Sequence, residues 1–284
     1  MLILILLYHL IYNRGKMLNI QIEKIHKTHN YTLLKKVYYD ILLPCFPNPK
    51  DHLSWFKVKW MLNSNFKSET DNDRILLLIS KRILKNGTEE PISFLLGVYY
   101  KKSQTGLISY MGVRPGEEKS ADNIQKQLLS EMEDTATLYN KKVLGVFSMV
   151  DLPEYVDSRY ITIDPVLRIK IMERHGGHHI PIDFQYPSFG TSLFSYLFMK
   201  KKYKRDAALL GYRLYGKLPT ETPEIIHAFI EDFYESYDID PNNDPMVKKM
   251  QEEVNSLPLG IKVRLSKHYK KGETNEKSNH RKHT

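Results

Sequence analysis

An Arg-Pro-Gly break at residues 114–116 separates an apolar run, Leu107–Val113, from a long amphipathic pattern, and this junction is the part of the chain best suited to chemistry. Apolar residues at Ile124, Leu128, Leu129, Met132, Ala136 and Tyr139 recur near i, i+4, i+8 and predict a helix from about Ala121 to Lys141. A strand that turns straight into a helix leaves the first helical N–H groups pointing outward, with the positive end of the helix dipole behind them. Such a turn can hold a phosphate. Ser120 is the expected N-cap, its hydroxyl oxygen accepting from an otherwise unpaired N–H. Val143–Val150 then reads as a strand buried on both faces, and Val166–His175 as a short helix ended by Gly176, with Gly177 offering a second left-handed position. Thr105–Gly177 is therefore a β-α-β-α unit.

Three other groups of residues invite chemistry and are weaker. His175, His178 and His179 (HGGHH) suggest a metal, but no carboxylate or cysteine stands at ligand spacing, and histidine is favoured at helix C-termini by the dipole. No metal is expected. Cys45, the single cysteine, excludes an internal disulfide, fits a reducing cytoplasm and reads as a small buried apolar residue. The 19 tyrosines and the basic run Lys200–Lys202, Lys204 and Arg205 could stack and bind RNA, yet the tyrosines are scattered over predicted core faces. No specific nucleic acid is expected as a partner.

The elements that must position the turn can be read on either side of it. Leu18–Ile25 alternates as a first strand, Tyr31 to about Leu43 is a helix ended by Pro44, Pro47 and Pro49, and Asp51 caps a second helix through Trp55, Val58, Trp60 and Met61. Arg74–Leu84, Ile92–Lys101 and Leu107–Val113 form an antiparallel meander, with Asn86-Gly87 as a hairpin turn. Asp151–Pro165 is a polar loop, and His178–Tyr186, Leu193–Met199 and Leu209–Leu214 read as strands. Helices follow at Pro223–Tyr237 and Met246–Val254.

With 284 residues, 42% of them hydrophobic, the chain suits one soluble globular domain with appendages. The expected division is an apolar N-terminal extension at 1–16, a core domain at 17–216, a helical C-terminal extension at 217–260 and a disordered basic tail at 261–284. That tail supplies six of the nine net positive charges. The apolar run Leu2–Tyr12 is shorter than the roughly 20 residues a bilayer needs, so no stable membrane insertion is expected. Met17 offers a second start, and residues 1–16 read either as a gene-model extension or as an added apolar segment.

The order strand, two helices, three antiparallel strands, helix, strand, helix, strand resembles the Gcn5-related N-acetyltransferase superfamily. ISYMGVRP resembles its fourth-strand signature, IQKQLLSEM the start of the next helix, and RIKIMERHGG the helix before the last core strands. ILLPCFP, VDLP and DFQYP resemble segments of one subgroup, and coverage runs from about Leu18 to Leu214. The resemblance implies an α/β (α+β) fold, a mixed, mostly antiparallel sheet flanked by helices and splayed between strands 4 and 5. It implies acetyl-CoA as co-substrate, bound in that gap through Met111, Gly112 and Val113, with the pyrophosphate at Gly116, Lys119, Ser120 and Ala121. A small-molecule or peptide amine would attack the thioester directly in a ternary complex. Homodimers are common in the superfamily, and a cytoplasmic location is expected.

Several positions depart from the superfamily pattern. The pyrophosphate loop is two residues longer, and Asn123 and Gln125 replace its small residues, which should weaken close approach of the anion. Glu117 and Glu118 add repulsion that Arg114 and Lys119 offset only in part. The tyrosine general acid falls on Met172 and the acidic position of the fifth strand on Met149, both read as core filling. Asp151 is then the candidate base, and Tyr155 and Tyr160 are the candidate acids. Arg168 is carried over as a structural, loop-ordering residue. Two readings stay open: an N-acetyltransferase, or a weak or inactive relative that binds CoA or serves as an interaction module.

Overall fold

Three long strands, each followed by a tight turn, carry most of the sheet: β2 (Asp73–Ile83), β3 (Glu89–Tyr100) and β4 (Thr105–Val113). They are seen in a computed structural model that describes residues 20–25, 31–48, 54–55, 58–59, 73–187, 203–204, 207–212, 222–257 and 265–269. Outside those residues lie the N-terminal run and Met17, most of the helix expected after Asp51, the Leu193–Met199 strand, the Lys200–Lys202 run with Arg205, and most of the basic tail. The β2–β3 turn at Asn86-Gly87 places Gly87 at φ +78, where a side chain would be strained.

The sheet has seven strands among the described residues. Adding β1 (Ile20–Lys24), β5 (Gly145–Asp151), β6 (Gly177–His179) and β9 (Ala207–Tyr212), its order is β1-β2-β3-β4-β5-β9-β6. All neighbours are antiparallel except β4 and β5. A separate two-residue ladder joins β7 (Tyr186–Pro187) to β8 (Tyr203–Lys204). This is the mixed, mostly antiparallel, helix-flanked architecture expected. The strand expected at His178–Tyr186 is shorter, however, because the chain leaves the ladder after His179.

Helices cover both faces. On one, α2 (Ser120–Leu138) lays Ile124, Leu128, Met132 and Ala136, each 0% exposed, against Leu76, Leu95 and Tyr99. Burial of a Leu, Ile or Met side chain contributes about 1.5–3 kcal/mol, and that of the Ala136 methyl less. The same core receives Ile169 of α3 (Pro165–Arg174), whose N-terminus is set by Pro165 and capped by Asp164 accepting from the Leu167 N–H at 2.7 Å. On the other face, α1 (Tyr31–Val37) continues through a π-helical stretch (Tyr38–Leu42) into a last turn (Leu43–Cys45). Pro44 thus sits inside the final turn rather than ending the helix before it. Leu33, Leu34, Val37 and Ile41 pack there on Leu77, Ile79 and Phe94.

The rest of that second face is closed by α4 (Pro223–Glu235) and α5 (Pro245–Asn255). Phe229 stacks on Phe147 of β5 at 4.1 Å, and Phe229, Ile230, Phe233 and Val254 share one core with Tyr100, Leu107 and Leu209. These two helices form a layer of the sheet's own core. Near the C-terminus, within the stretch expected to be a disordered tail, Leu265–His268 instead forms a 3-10 turn on α3. Leu265 is 4% exposed there, and Glu173 accepts from the N–H and hydroxyl of Ser266. No helix among the described residues is long and apolar enough to cross a membrane.

Candidate functional site: a gap between two strands and the turn at its mouth

The gap begins with one extra residue. β3 and β4 pair in register until Leu96 meets Tyr110 and Gly97 meets Ile108, so Ser109 is left over as a bulge. A bulge bends its strand and increases the local twist. The parallel pairing of β4 with β5 stops at the same level, at Ile108 with Ser148. On its other edge β5 pairs with β9 from Val146 to Asp151, so beyond Ser148 it keeps only that partner. Tyr110–Val113 consequently keeps β3 on one side and, among the described residues, has no strand on the other. That is the expected splay, with a polar backbone edge exposed along it.

The bulge also resets which side chains face which helices. Met111 lies against the α2–α3 core, as do Leu152 and Met172, giving the helix side of the gap an apolar lining. Tyr110 falls on the α1 face with Phe46, 5.3 Å between ring centroids. Met149 lies on the α4 face. The two methionines at the superfamily's acidic and tyrosine positions therefore fill different cores, on opposite sides of the sheet.

At the mouth the chain turns at Arg114-Pro115-Gly116, with Gly116 at φ +85. Ser120 does not cap α2. The cap residue is Lys119, with helical angles and no side-chain bond, because the turn before the helix is already wound. The Ser120 N–H donates to the Glu117 carbonyl at 2.8 Å and the Ala121 N–H to that of Glu118 at 3.1 Å. The Ser120 hydroxyl is left buried with no hydrogen-bond partner among the described residues. Gly177 is likewise not a left-handed cap; it opens β6, and Gly176 alone, at φ +95, ends α3.

The charges of the turn are engaged with one another. Glu90 of β3 pairs with Arg114 and, at 3.2 Å, with Arg82; Arg82 also pairs with Glu117. The Arg114 guanidinium, helped by Arg82, holds the Glu90 carboxyl below the usual carboxylate range. Glu118 accepts from the Gly116 N–H at 2.8 Å. That bond, and one from its own N–H, lower its carboxyl as well. Lys119 is exposed and makes no ion pair with any described residue. Behind the turn, Asp122 takes His175 Nδ1 at 2.7 Å, which ties the start of α2 to the end of α3 and accounts for one histidine of HGGHH.

At the far end of β5, Asp151 is held by Arg168 of α3 at 2.5 Å. Tyr155 is 57% exposed on the 3-10 turn Pro153–Tyr155, and Tyr160, on the turn Ser158–Tyr160, lies under the Arg159 guanidinium at 5.4 Å. No hydrogen bond joins either tyrosine to Asp151 among those seen.

Two further residues lie near the gap: Cys45, read from the sequence as buried and here only partly so, and Tyr269, which carried no sequence signal. Cys45 directs its thiol at the Val113 carbonyl, 3.7 Å away, and burial pushes that thiol up. Tyr269 donates to Glu154 at 2.9 Å, so the C-terminal segment reaches the loop after β5. No apolar period marks Tyr269 in the sequence.

No protein-family model matches the chain, and no curated protein matches it. Among solved structures it is similar to Tetrahymena Gcn5 at 12% identity and a TM-score of 0.39, covering 70% of this chain and 99% of that one. It is similar to the catalytic domain of Tetrahymena Gcn5 histone acetyltransferase in complex with coenzyme A, at 14% identity and a TM-score of 0.38, over 72% and 96% of the two chains. An aminoglycoside 6'-acetyltransferase type Ii is similar at 11% identity and a TM-score of 0.38, over 70% and 99%.

Proposed function

We propose that this chain is an acyl-CoA-dependent N-acyltransferase that moves an acetyl group to an amine. The observation that carries the reading is the β4–β5 gap: an edge of β4 beyond Ile108 that has no strand beside it among the described residues and leads to a strand-to-helix turn. The amide groups of a pantetheine arm match such an edge as an added strand would. Met111, Leu152 and Met172 suit its apolar stretches, and the diphosphate belongs at Gly116, Lys119, Ser120 and Ala121, where the helix dipole and the unpartnered Ser120 hydroxyl favour an anion.

The acceptor amine attacks the thioester carbonyl directly. The C–N bond forms, the C–S bond breaks, the ammonium proton passes to a base, and the thiolate takes a proton as it leaves. A backbone N–H of β4 beyond the bulge stabilises the oxyanion. Asp151, at the end of β5, is the carboxylate assigned as that base, and its pair with Arg168 would orient it. Tyr155 or Tyr160 supplies the proton to the thiolate.

One observation favours a second reading, a CoA-binding module with little turnover: the turn's own charges are already satisfied, Glu118 on Gly116 and both arginines on Glu90 and Glu117. Calorimetric titration with acetyl-CoA, followed by transfer assays on a panel of amines, separates the two. Binding with turnover supports the enzyme, and binding without turnover supports the module. Absence of heat at millimolar acetyl-CoA overturns both.

A further inference from the structure

The phosphate-holding turn already holds an anion. Glu118 Oε1 sits 2.8 Å from the Gly116 nitrogen, the next backbone donor after Arg114, whose N–H goes to the Ile92 carbonyl, and the same carboxylate accepts from its own N–H. Gly116 is at φ +85 with nothing within 4 Å of where a side chain would stand, so the turn is uncrowded on that side. One residue past Lys119, the Ser120 hydroxyl is 7% exposed with no partner among the described residues, an independent mark of a polar ligand's place at the start of α2. Of the turn's cations, Arg82 and Arg114 are committed to Glu90 and Glu117, which leaves Lys119 as the one that makes no ion pair with a described residue.

We infer that the Glu118 carboxylate is a built-in competitor for the donor's diphosphate, occupying the Gly116 N–H until the donor displaces it. The inference rests on the acyl-CoA reading and deepens it, since it names the residue that sets donor affinity. The carboxylate is exposed, so it swings out at small cost; the incoming diphosphate must compete for an N–H that Glu118 holds and bear the repulsion between carboxylate and diphosphate. A plain turn-stabilising role for Glu118 predicts the opposite sign, because loosening the turn would weaken the donor site.

The test is calorimetry on the full chain and on Glu118→Ala and Glu118→Gln, with acetyl-CoA and with S-acetylpantetheine, which carries no phosphate. Glu118→Ala is expected to tighten acetyl-CoA about five- to tenfold at low salt, with a smaller gain at high salt. Glu118→Gln, which keeps an acceptor oxygen, should gain less. S-acetylpantetheine affinity should not change. If the wild type binds acetyl-CoA and Glu118→Ala binds it equally or more weakly, with an unshifted melting temperature, the competitor is refuted while the acyl-CoA reading stands. If S-acetylpantetheine tightens as much as acetyl-CoA, the diphosphate is not what Glu118 opposes. Failure of every variant to bind either compound would sink the acyl-CoA reading itself.

Discussion

The two walls of the gap are built on different principles. The strand wall, Ser109–Val113, offers backbone groups fixed by the β3 ladder and by packing on both faces. Its geometry depends on side chains far from the ligand. The turn, Arg114–Ala121, offers backbone groups too, but it is held by charged side chains at the surface. Packed walls tolerate little change, whereas ionic turns can be rewired at small cost. The strand wall is therefore expected to resist substitution while the turn tolerates it.

The contrast breaks most visibly at two glycines. A Cβ on Gly112 would run into the Phe94 ring and lie 3.1 Å from Ile41 Cγ2, and Phe94 is 2% exposed with no room to yield. Gly112→Ala should cost about 2–3 kcal/mol in denaturant unfolding. At Asp151 the expected loss is catalytic. Asp151→Asn should lower kcat about 100-fold with little change in acetyl-CoA affinity, read by steady-state kinetics. Gly116→Ala meets no atom but must adopt φ +85, so a destabilisation of about 1 kcal/mol is expected, a smaller cost than at Gly112.

The smallest effect concerns pH. The Glu90 carboxyl titrates below its unfolded value because Arg114 and Arg82 stabilise its charge. Its contribution is complete above the ordinary carboxylate value and is lost as pH falls through the lowered folded value. Glu90→Gln should flatten that acid limb of the melting curve while changing stability near neutrality by less than about 1 kcal/mol, since the pair is partly solvated.

Regular packing explains what the sequence made legible. The meander, α2 and β5 each repeat apolar residues at the period of their own element, and the strand-to-helix turn followed from their order. Single residues that change a register did not show. Ser109 looks like any polar residue in a half-buried strand, yet as a bulge it separates β4 from β5. Ser120 has the right type for a cap, but the preceding turn was wound and its carbonyls had taken the N–H groups. The C-terminal helices read as an extension because amphipathicity shows a buried face without showing what it covers. The Glu118 bond to Gly116 joins a side chain to backbone two residues away, and no periodicity records it.

The most direct test of the gap is amide hydrogen exchange with and without coenzyme A. A donor that pairs with the open edge should slow exchange in Ser109–Val113 and at Gly116, and leave the β2–β3 amides as they were. Saturating coenzyme A that protects other segments and leaves Ser109–Val113 unchanged would contradict the account.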